Sequence, residues 1–166
     1  LPGILSLPVY VIMLLVPRID PKHKIEQMGG KFYTIRLVIT IFMSALGIYI
    51  INASYTGNMT GMNYLFMIIG AFFAVIGNYM PAMRPNYFMG IRTPWTLENE
   101  EVWKNTHRLG GKIWVVGGLL IFLLALLIHD EKTIGIVFIS MIVVLAGIPI
   151  LYSYFDYRKL KAKSSE

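Results

Sequence analysis

The sequence contains no cysteine and few charged residues, and both shortages restrict what the protein can be. Without cysteine the chain has no disulfide framework and no thiol chemistry. Charged residues make up 14% of the chain, whereas a soluble domain usually carries about 25%. Hydrophobic residues make up 56%, and the mean hydropathy is +0.62. This composition excludes an ordinary soluble domain and indicates an integral membrane protein.

The apolar residues occur in long runs without the period-two alternation of strands, so helices rather than a barrel are predicted to cross the membrane. We predict an all-α polytopic helical membrane protein with about five transmembrane helices and a short interfacial helix. In this single membrane domain the predicted spans are residues 1–16, 33–51, 62–79, 113–128 and 133–154, and a polar motif loop covers residues 80–112. Gly70, Ala74 and Gly77 form a small-residue stripe, which predicts close approach of another helix.

The first predicted span is short for a bilayer, which needs about 20 residues. It begins at Leu1, inside an apolar run, and not at a methionine. It also lacks the basic start and the small-residue cleavage site of a signal peptide. We therefore expect an upstream segment to be missing from this sequence.

Lysine and arginine are unevenly distributed between the connections of the predicted spans. The first loop has four, the motif loop has five and the C-terminal tail has four. The loop after the second span has none, and the turn at residues 129–132 has only Lys132. Because cytoplasmic loops carry the excess of positive charge, we predict that the first loop, the motif loop and the C-terminus are cytoplasmic.

Ionisable side chains are absent from the middle of every predicted span. Proton-coupled pumps and ion transporters usually need such groups at depth. This shortage argues against a small transporter, although that function stays open as a second alternative. The polar chemistry of the chain is concentrated instead in the stretch from Asn78 to Trp114 around the motif loop, which also holds all three tryptophans.

Helix signals occur within the motif loop. Thr93 is a candidate N-cap with Pro94 at the first helical position, and Thr96 is a second candidate. We predict a surface helix over residues 96–109, supported by a pair of opposite charges at Glu100 and Lys104. On this helix Trp103 and His107 are four residues apart and are predicted to share a face. The glycines at 110–111 are predicted to end this helix or to bend it into the fourth span.

Two interpretations of the motif loop remain open. In one, the loop is a polar site in which His107 acts as acid or base, or arginines hold a phosphate or carboxylate. In the other, it is an interfacial helix whose tryptophans and basic residues contact the anionic headgroups of the bilayer.

We expect three of the arginines to converge on one pocket with two asparagines and His107. The predicted binding residues are Asn78, Arg84, Asn86, Arg92, Trp95, Glu101, Trp103, His107 and Arg108.

No catalytic or metal-binding motif occurs in the sequence. It has three histidines and no HExxH pattern, no glycine-rich phosphate loop and no nucleophile elbow. His129 is expected on the opposite side of the membrane from His23 and His107. We therefore predict no metal site and no cofactor, and we assign no catalytic residue.

The motif loop resembles the SdpI family of bacterial membrane proteins, named for an immunity protein against the sporulation-delaying toxin. The resemblance covers most of the chain, to about the fifth predicted span. Its most specific part is the long central motif, and residues 17–21 resemble the family's earlier loop. The matching segments are residues 77–81, 84–86, 90–97, 99–103 and 106–108.

The resemblance implies a bacterial membrane protein that gives immunity to a membrane-active peptide toxin. It also implies a second role, that of the family's founding member, in which the protein sequesters a transcriptional repressor at the membrane without contacting nucleic acid itself. Nothing in the resemblance supplies a catalytic residue. The alternative function is a membrane enzyme that acts on a lipid headgroup or a peptide through the arginine, histidine and glutamate residues of the motif.

Overall fold

The computed structural model describes residues 2–21, 23–56 and 61–163. Within these ranges no strand occurs, and the α-helices are α1 (Pro2–Ile19), α2 (Gly30–Thr56), α3 (Met62–Tyr79), α4 (Pro94–Glu98), α5 (Glu100–Leu127) and α6 (Glu131–Lys163). Short 3₁₀ turns occupy Glu26–Met28 and Met80–Ala82. The predicted all-α fold is confirmed.

Most of the helices are suited to a membrane. Among the described residues, four segments are long and apolar enough to cross one: Gly30–Thr56, Met62–Ala82, Glu100–Leu127 and Glu131–Lys163. The apolar part of α1 is shorter. Large apolar side chains such as Leu123 and Ile139 are exposed on the outside of the bundle. Such a surface is unfavourable in water and suits contact with lipid, so the predicted polytopic membrane protein is confirmed.

Helix α5 is the centre of the bundle. It packs along α3 on one side and along α6 on the other, while α2 packs on α3 and α1 packs on α2. The indole of Trp114 on α5 donates a hydrogen bond of 3.0 Å to the carbonyl oxygen of Leu145 on α6. This packing places the first half of α5, which belongs to the motif loop, between the ends of α3 and α6.

The small-residue stripe predicted on α3 does allow another helix to approach closely. A Cβ atom added to Gly70 would lie 2.8 Å from the carbonyl oxygen of Gly118, and one added to Gly77 would lie 2.8 Å from that of Gly111. The glycines of α5 are equally restricted, since a Cβ at Gly118 would lie 2.4 Å from the backbone nitrogen of Ala74. The two helices therefore meet backbone to backbone.

The prediction that the motif helix ends at residues 110–111 is wrong. Helix α5 continues from Glu100 through both glycines to Leu127, so the motif helix and the fourth span are one element. Gly111 packs against α3, and a Cβ at Gly110 would lie 2.8 Å from the side chain of Ile91. Both glycines serve close packing here, and this packing outweighs their poor helix propensity.

Candidate functional site

The first loop, the motif loop and the end of α6 lie at the same end of the bundle. Lys24 of the first loop forms an ion pair of 3.1 Å with Glu100 at the start of α5. The hydroxyl of Tyr157 on α6 donates a 2.8 Å hydrogen bond to Glu98 on α4. The predicted pair of Glu100 with Lys104 is wrong, because the Glu100 carboxylate binds Lys24 instead.

Trp103 and His107 hold the preceding loop, residues 83–91, against α5. They are one helical turn apart and both are buried. Their rings stack with centroids 4.0 Å apart, which confirms the prediction that they share a face. The indole of Trp103 donates to the carbonyl oxygen of Met83 at 2.9 Å. The backbone N–H of Ile91 donates to Nε2 of His107 at 3.0 Å. One stacked pair therefore fixes both ends of the 83–91 loop.

The hydrogen bonds of His107 define its tautomer. Nε2 accepts from Ile91 and must therefore be unprotonated, whereas Nδ1 lies 2.8 Å from the carbonyl oxygen of Trp103 and carries the proton. Both ring nitrogens are bound to the backbone of the motif loop. His107 is thus a neutral structural group that has no free nitrogen to exchange a proton with a substrate.

Asn86 organises the interior of the 83–91 loop. Its buried side-chain oxygen accepts hydrogen bonds from the backbone nitrogens of Phe88 and Met89, at 2.8 and 2.9 Å. Its amide nitrogen donates to the carbonyl oxygen of Arg84 at 2.7 Å. Asparagine can satisfy backbone donors and an acceptor at the same time, which explains its place inside this turn.

Gly90 allows the loop to pass over the stacked rings. Its φ of +100° is a conformation that residues with a Cβ rarely adopt. A Cβ atom at this position would lie 2.4 Å from Nε2 of His107 and 3.2 Å from the ring of Trp103. Both the backbone conformation and the available space therefore require glycine.

Helix α4 begins with reciprocal hydrogen bonds between two threonines. The hydroxyl of Thr93 accepts a hydrogen bond from the backbone nitrogen of Thr96. In return, the hydroxyl of Thr96 accepts one from the backbone nitrogen of Thr93. Pro94 occupies the first turn, so the predicted cap is confirmed. The Thr93 hydroxyl also lies 3.1 Å from that of Ser153 on α6. This buried contact, which the sequence did not reveal, attaches the motif loop to α6.

Asn99 separates α4 from α5 and caps the longer helix. Its side-chain oxygen accepts from the backbone nitrogens of Glu101 and Val102, at 2.8 and 3.2 Å. The sequence prediction did not identify this cap and continued a single helix from residue 96. An asparagine directly before two glutamates is an N-cap signal that would have placed the boundary correctly.

The described contacts do not bring the three predicted arginines together. Arg92 donates to the carbonyl oxygen of Tyr87, Arg84 borders a separate groove, and Arg108 is exposed on α5. Of the other predicted residues, Asn86, Trp103 and His107 form the interior of the motif loop, Trp95 packs edge-on against Tyr154, and Asn78 and Glu101 are exposed. Binding of a ligand by these residues stays a prediction.

The histidines are dispersed in the structure. His23 is exposed in the first loop, His107 is buried in the motif loop, and His129 lies between α5 and α6 at the other end of the bundle. Among the described residues, no group of three His, Cys, Asp or Glu side chains is placed to hold a metal ion.

Comparisons with known proteins identify the segment built around Trp103 and His107. The model of the SdpI/YfhL protein family matches residues 82–153. The chain belongs to this family. It is 32% identical over 124 residues to a protein named Immunity protein SdpI from Bacillus subtilis (strain 168). The aligned part is 75% of this chain and 58% of that relative, so the chain spans little more than half of the relative's length. No solved structure matches.

The bounds of the SdpI/YfhL match coincide with contacts in the structure. The match begins one residue before Met83, and the indole of Trp103 donates a hydrogen bond to the carbonyl oxygen of Met83. It ends at Ser153, whose hydroxyl contacts that of Thr93. It therefore includes the 83–91 loop, α4, α5 and most of α6. In this SdpI-family chain the matched segment packs together through α5, while α1, α2 and α3 lie outside the match.

Proposed function

We propose that this SdpI-family protein gives a bacterial cell immunity to a membrane-active peptide toxin, and that it does so by binding rather than by turnover. The similarity to Immunity protein SdpI supports immunity. The observation that carries a binding mechanism is the geometry of His107, whose two ring nitrogens both bind the backbone. The most conspicuous candidate acid or base in the motif is therefore used to build a rigid surface.

The exposed side chains on this rigid surface are the proposed contacts for a partner. Arg84 lies in the 83–91 loop, whose backbone is fixed by Asn86, Trp103 and His107, and Arg92 directly follows that loop. A fixed backbone lowers the entropy lost on binding, since the loop is already ordered. The surface is basic and suits an acidic group of a peptide or of a lipid.

We place the motif end of the bundle in the cytoplasm and the protein in the bacterial cell membrane as a multi-pass protein. The support is the distribution of Lys and Arg, of which the first loop, the motif loop and the tail hold four, five and four. These three segments also lie together at one end of the bundle. Positive charge concentrated at one end favours the cytoplasmic side.

A finer proposal is that this cytoplasmic face also sequesters a transcriptional regulator. The end of α6 supports it, because the helix continues to Lys163 with exposed basic residues. Residues Glu98 and Tyr157 connect this end to α4 through a hydrogen bond. A regulator docked on the end of α6 would therefore also contact the side of the motif loop.

A growth assay tests the binding mechanism. Cells that express the full chain are challenged with the sporulation-delaying toxin, and the peptide and lipids are then examined by mass spectrometry. We expect protection with the peptide recovered intact. Arg92→Ala should weaken protection strongly, whereas Lys112→Ala, which removes an exposed charge of the same motif loop outside the predicted site, should not.

His107→Gln separates binding from the alternative of an enzyme. Glutamine can still accept the Ile91 hydrogen bond, so a binding protein should retain substantial protection. A positioned acid or base contributes about 10²–10⁴ in rate, so the same substitution should abolish protection by an enzyme. A cleaved peptide or an altered lipid, lost together with protection in His107→Gln, would contradict the proposal.

A further inference from the structure

A basic groove that shares only Arg84 with the arginine pocket predicted from sequence lies beside the 83–91 loop. It has a volume of about 380 Å³, and the charged side chains that line it are Lys31, Arg84, Lys104 and Glu100. Trp103 and Pro81 also line it. These residues come from the start of α2, the 3₁₀ turn after α3, the 83–91 loop and the start of α5, and the fold brings these segments together.

The positive charge of the groove is not neutralised within the described part of the protein. Glu100 is its one carboxylate, and Glu100 is paired with Lys24 at 3.1 Å. For Lys31, Arg84 and Lys104, the structure shows no ion pair and no side-chain hydrogen bond among the described residues. Three cations that line one groove repel one another, and an anion between them would remove that repulsion.

One wall of the groove is rigid. The Trp103 indole donates a hydrogen bond of 2.9 Å to the carbonyl oxygen of Met83. The side-chain amide of Asn86 donates one of 2.7 Å to the carbonyl oxygen of Arg84. The backbone that carries Arg84 is therefore fixed before any ligand arrives. Only the flexible ends of the basic side chains need to be ordered on binding, which limits the entropic cost.

The position of the groove along the bundle indicates the source of the anion. Lys31 lies in the first turn of α2, and Pro81 directly follows α3, so the groove opens where two apolar helices end. Lipid phosphates lie at this level of a bilayer, at the boundary of the hydrocarbon core. Basic pockets between transmembrane helices bind lipid headgroups in this way.

We infer that the groove lined by Lys31, Arg84 and Lys104 binds the phosphate group of an anionic lipid. The groove would hold one lipid at a defined place beside the motif loop, in addition to the general attraction of a basic protein for an anionic surface. This inference goes beyond the proposed function, because its test requires no toxin and succeeds or fails independently of immunity.

Native mass spectrometry of the full chain in detergent tests the inference. The purified protein is given phosphatidylglycerol and phosphatidylcholine in competition, at an ionic strength high enough to screen loose surface attraction. We expect one phosphatidylglycerol to be retained in preference to phosphatidylcholine. Substituting all three residues together, as Lys31→Gln, Arg84→Gln and Lys104→Gln, should weaken retention on the order of a hundredfold, at about fivefold for each residue.

A matched variant removes the same charge elsewhere. Lys112→Gln, Lys159→Gln and Lys163→Gln together also neutralise three exposed cations, and these residues lie outside the groove. This variant should retain the lipid as the unsubstituted protein does. Equal loss of lipid from both triple variants would overturn the inference, because it would show attraction by net charge alone.

Two further measurements complete the test. Lys104→Gln alone changes one exposed side chain and should lose about fivefold in lipid retention with an unchanged thermal unfolding curve. Its failure to change retention would contradict the inference without any question of misfolding. Inorganic phosphate or glycerol phosphate is added as a competitor, and displacement of the lipid at low millimolar concentration would assign the groove to a soluble phosphate compound and overturn its assignment to a lipid.

Discussion

The imidazole ring of His107 lies against the indole ring of Trp103, with centroids 4.0 Å apart, and each ring holds one end of the 83–91 loop. A residue pair on one helix thereby orders a loop that precedes the helix in sequence. The loop in turn carries Arg84, which lines the basic groove, and Arg92 follows it directly. The stacked pair is therefore the structural basis of both proposed binding surfaces.

Gly90→Ala should disrupt the loop that crosses these rings. The added Cβ would lie 2.4 Å from Nε2 of His107, and the φ of +100° is unfavourable for alanine. We expect a loss of about 2 kcal/mol in stability, measured as a lower unfolding temperature in detergent. Gly147→Ala is the control, because nothing lies within 4 Å of a Cβ there. An equal effect of both substitutions would refute the close approach at Gly90.

Gly118→Ala tests the contact between α3 and α5. The new Cβ would meet the backbone nitrogen of Ala74 at 2.4 Å, and neither helix backbone can move without disturbing the rest of the interface. We expect about 1–3 kcal/mol of destabilisation from this overpacking. Gly135→Ala adds the same methyl group to open space on α6 and should be neutral or slightly stabilising. Unchanged unfolding of the Gly118 variant would show that the helices are further apart than described.

Asn99→Ala should weaken the start of α5. Its side-chain oxygen accepts from the backbone nitrogens of Glu101 and Val102, and alanine would leave both donors without this partner. The expected cost is about 1 kcal/mol, together with faster hydrogen exchange at these two amides. Asn99→Asp preserves an acceptor, so the backbone amides of Glu101 and Val102 should exchange slowly in that variant. Equal protection in the alanine and aspartate variants would contradict the cap.

The helices and one of their interfaces were predictable from sequence because both depend on local patterns. Long apolar runs specify spans, and the spacing of Gly70, Ala74 and Gly77 marks a surface of close approach. The continuity of α5 through residues 110–111 was not predictable in this way. Glycine usually weakens a helix, and only the packing of Gly110 and Gly111 against neighbouring elements reverses that preference.

The candidate site was predictable only in part, for a similar reason. Helical spacing correctly placed Trp103 and His107 on one face. Periodicity does not show that the backbone nitrogen of Ile91 reaches His107, because that contact depends on a turn ordered by Asn86. The arginines were expected to converge as a clamp for an anion, but charge pattern alone does not show that Arg92 donates to the backbone carbonyl oxygen of Tyr87.

The proposed orientation can be tested with single cysteines, since the chain has none of its own. Asp130 lies at the end of the bundle opposite Arg92, and each residue is replaced by cysteine in turn. In intact cells a membrane-impermeant thiol reagent should label the Asp130 variant and leave the Arg92 variant unlabelled until the cells are lysed. Asn58→Cys should behave like Asp130→Cys, although Asn58 lies outside the described residues. Labelling of Arg92→Cys but not Asp130→Cys in intact cells would reverse the orientation.

The protonation of His107 tests the central claim most directly, because the claim is that this side chain builds the motif and performs no proton transfer. Nitrogen NMR of histidine-labelled protein at neutral pH distinguishes the two tautomers of the ring. We predict that Nδ1 of His107 carries the proton and that Nε2 shows the shift of an unprotonated, hydrogen-bonded acceptor. A proton on Nε2 in rapid exchange with solvent would contradict the account, because it would leave the Ile91 nitrogen unbound and the imidazole available for catalysis.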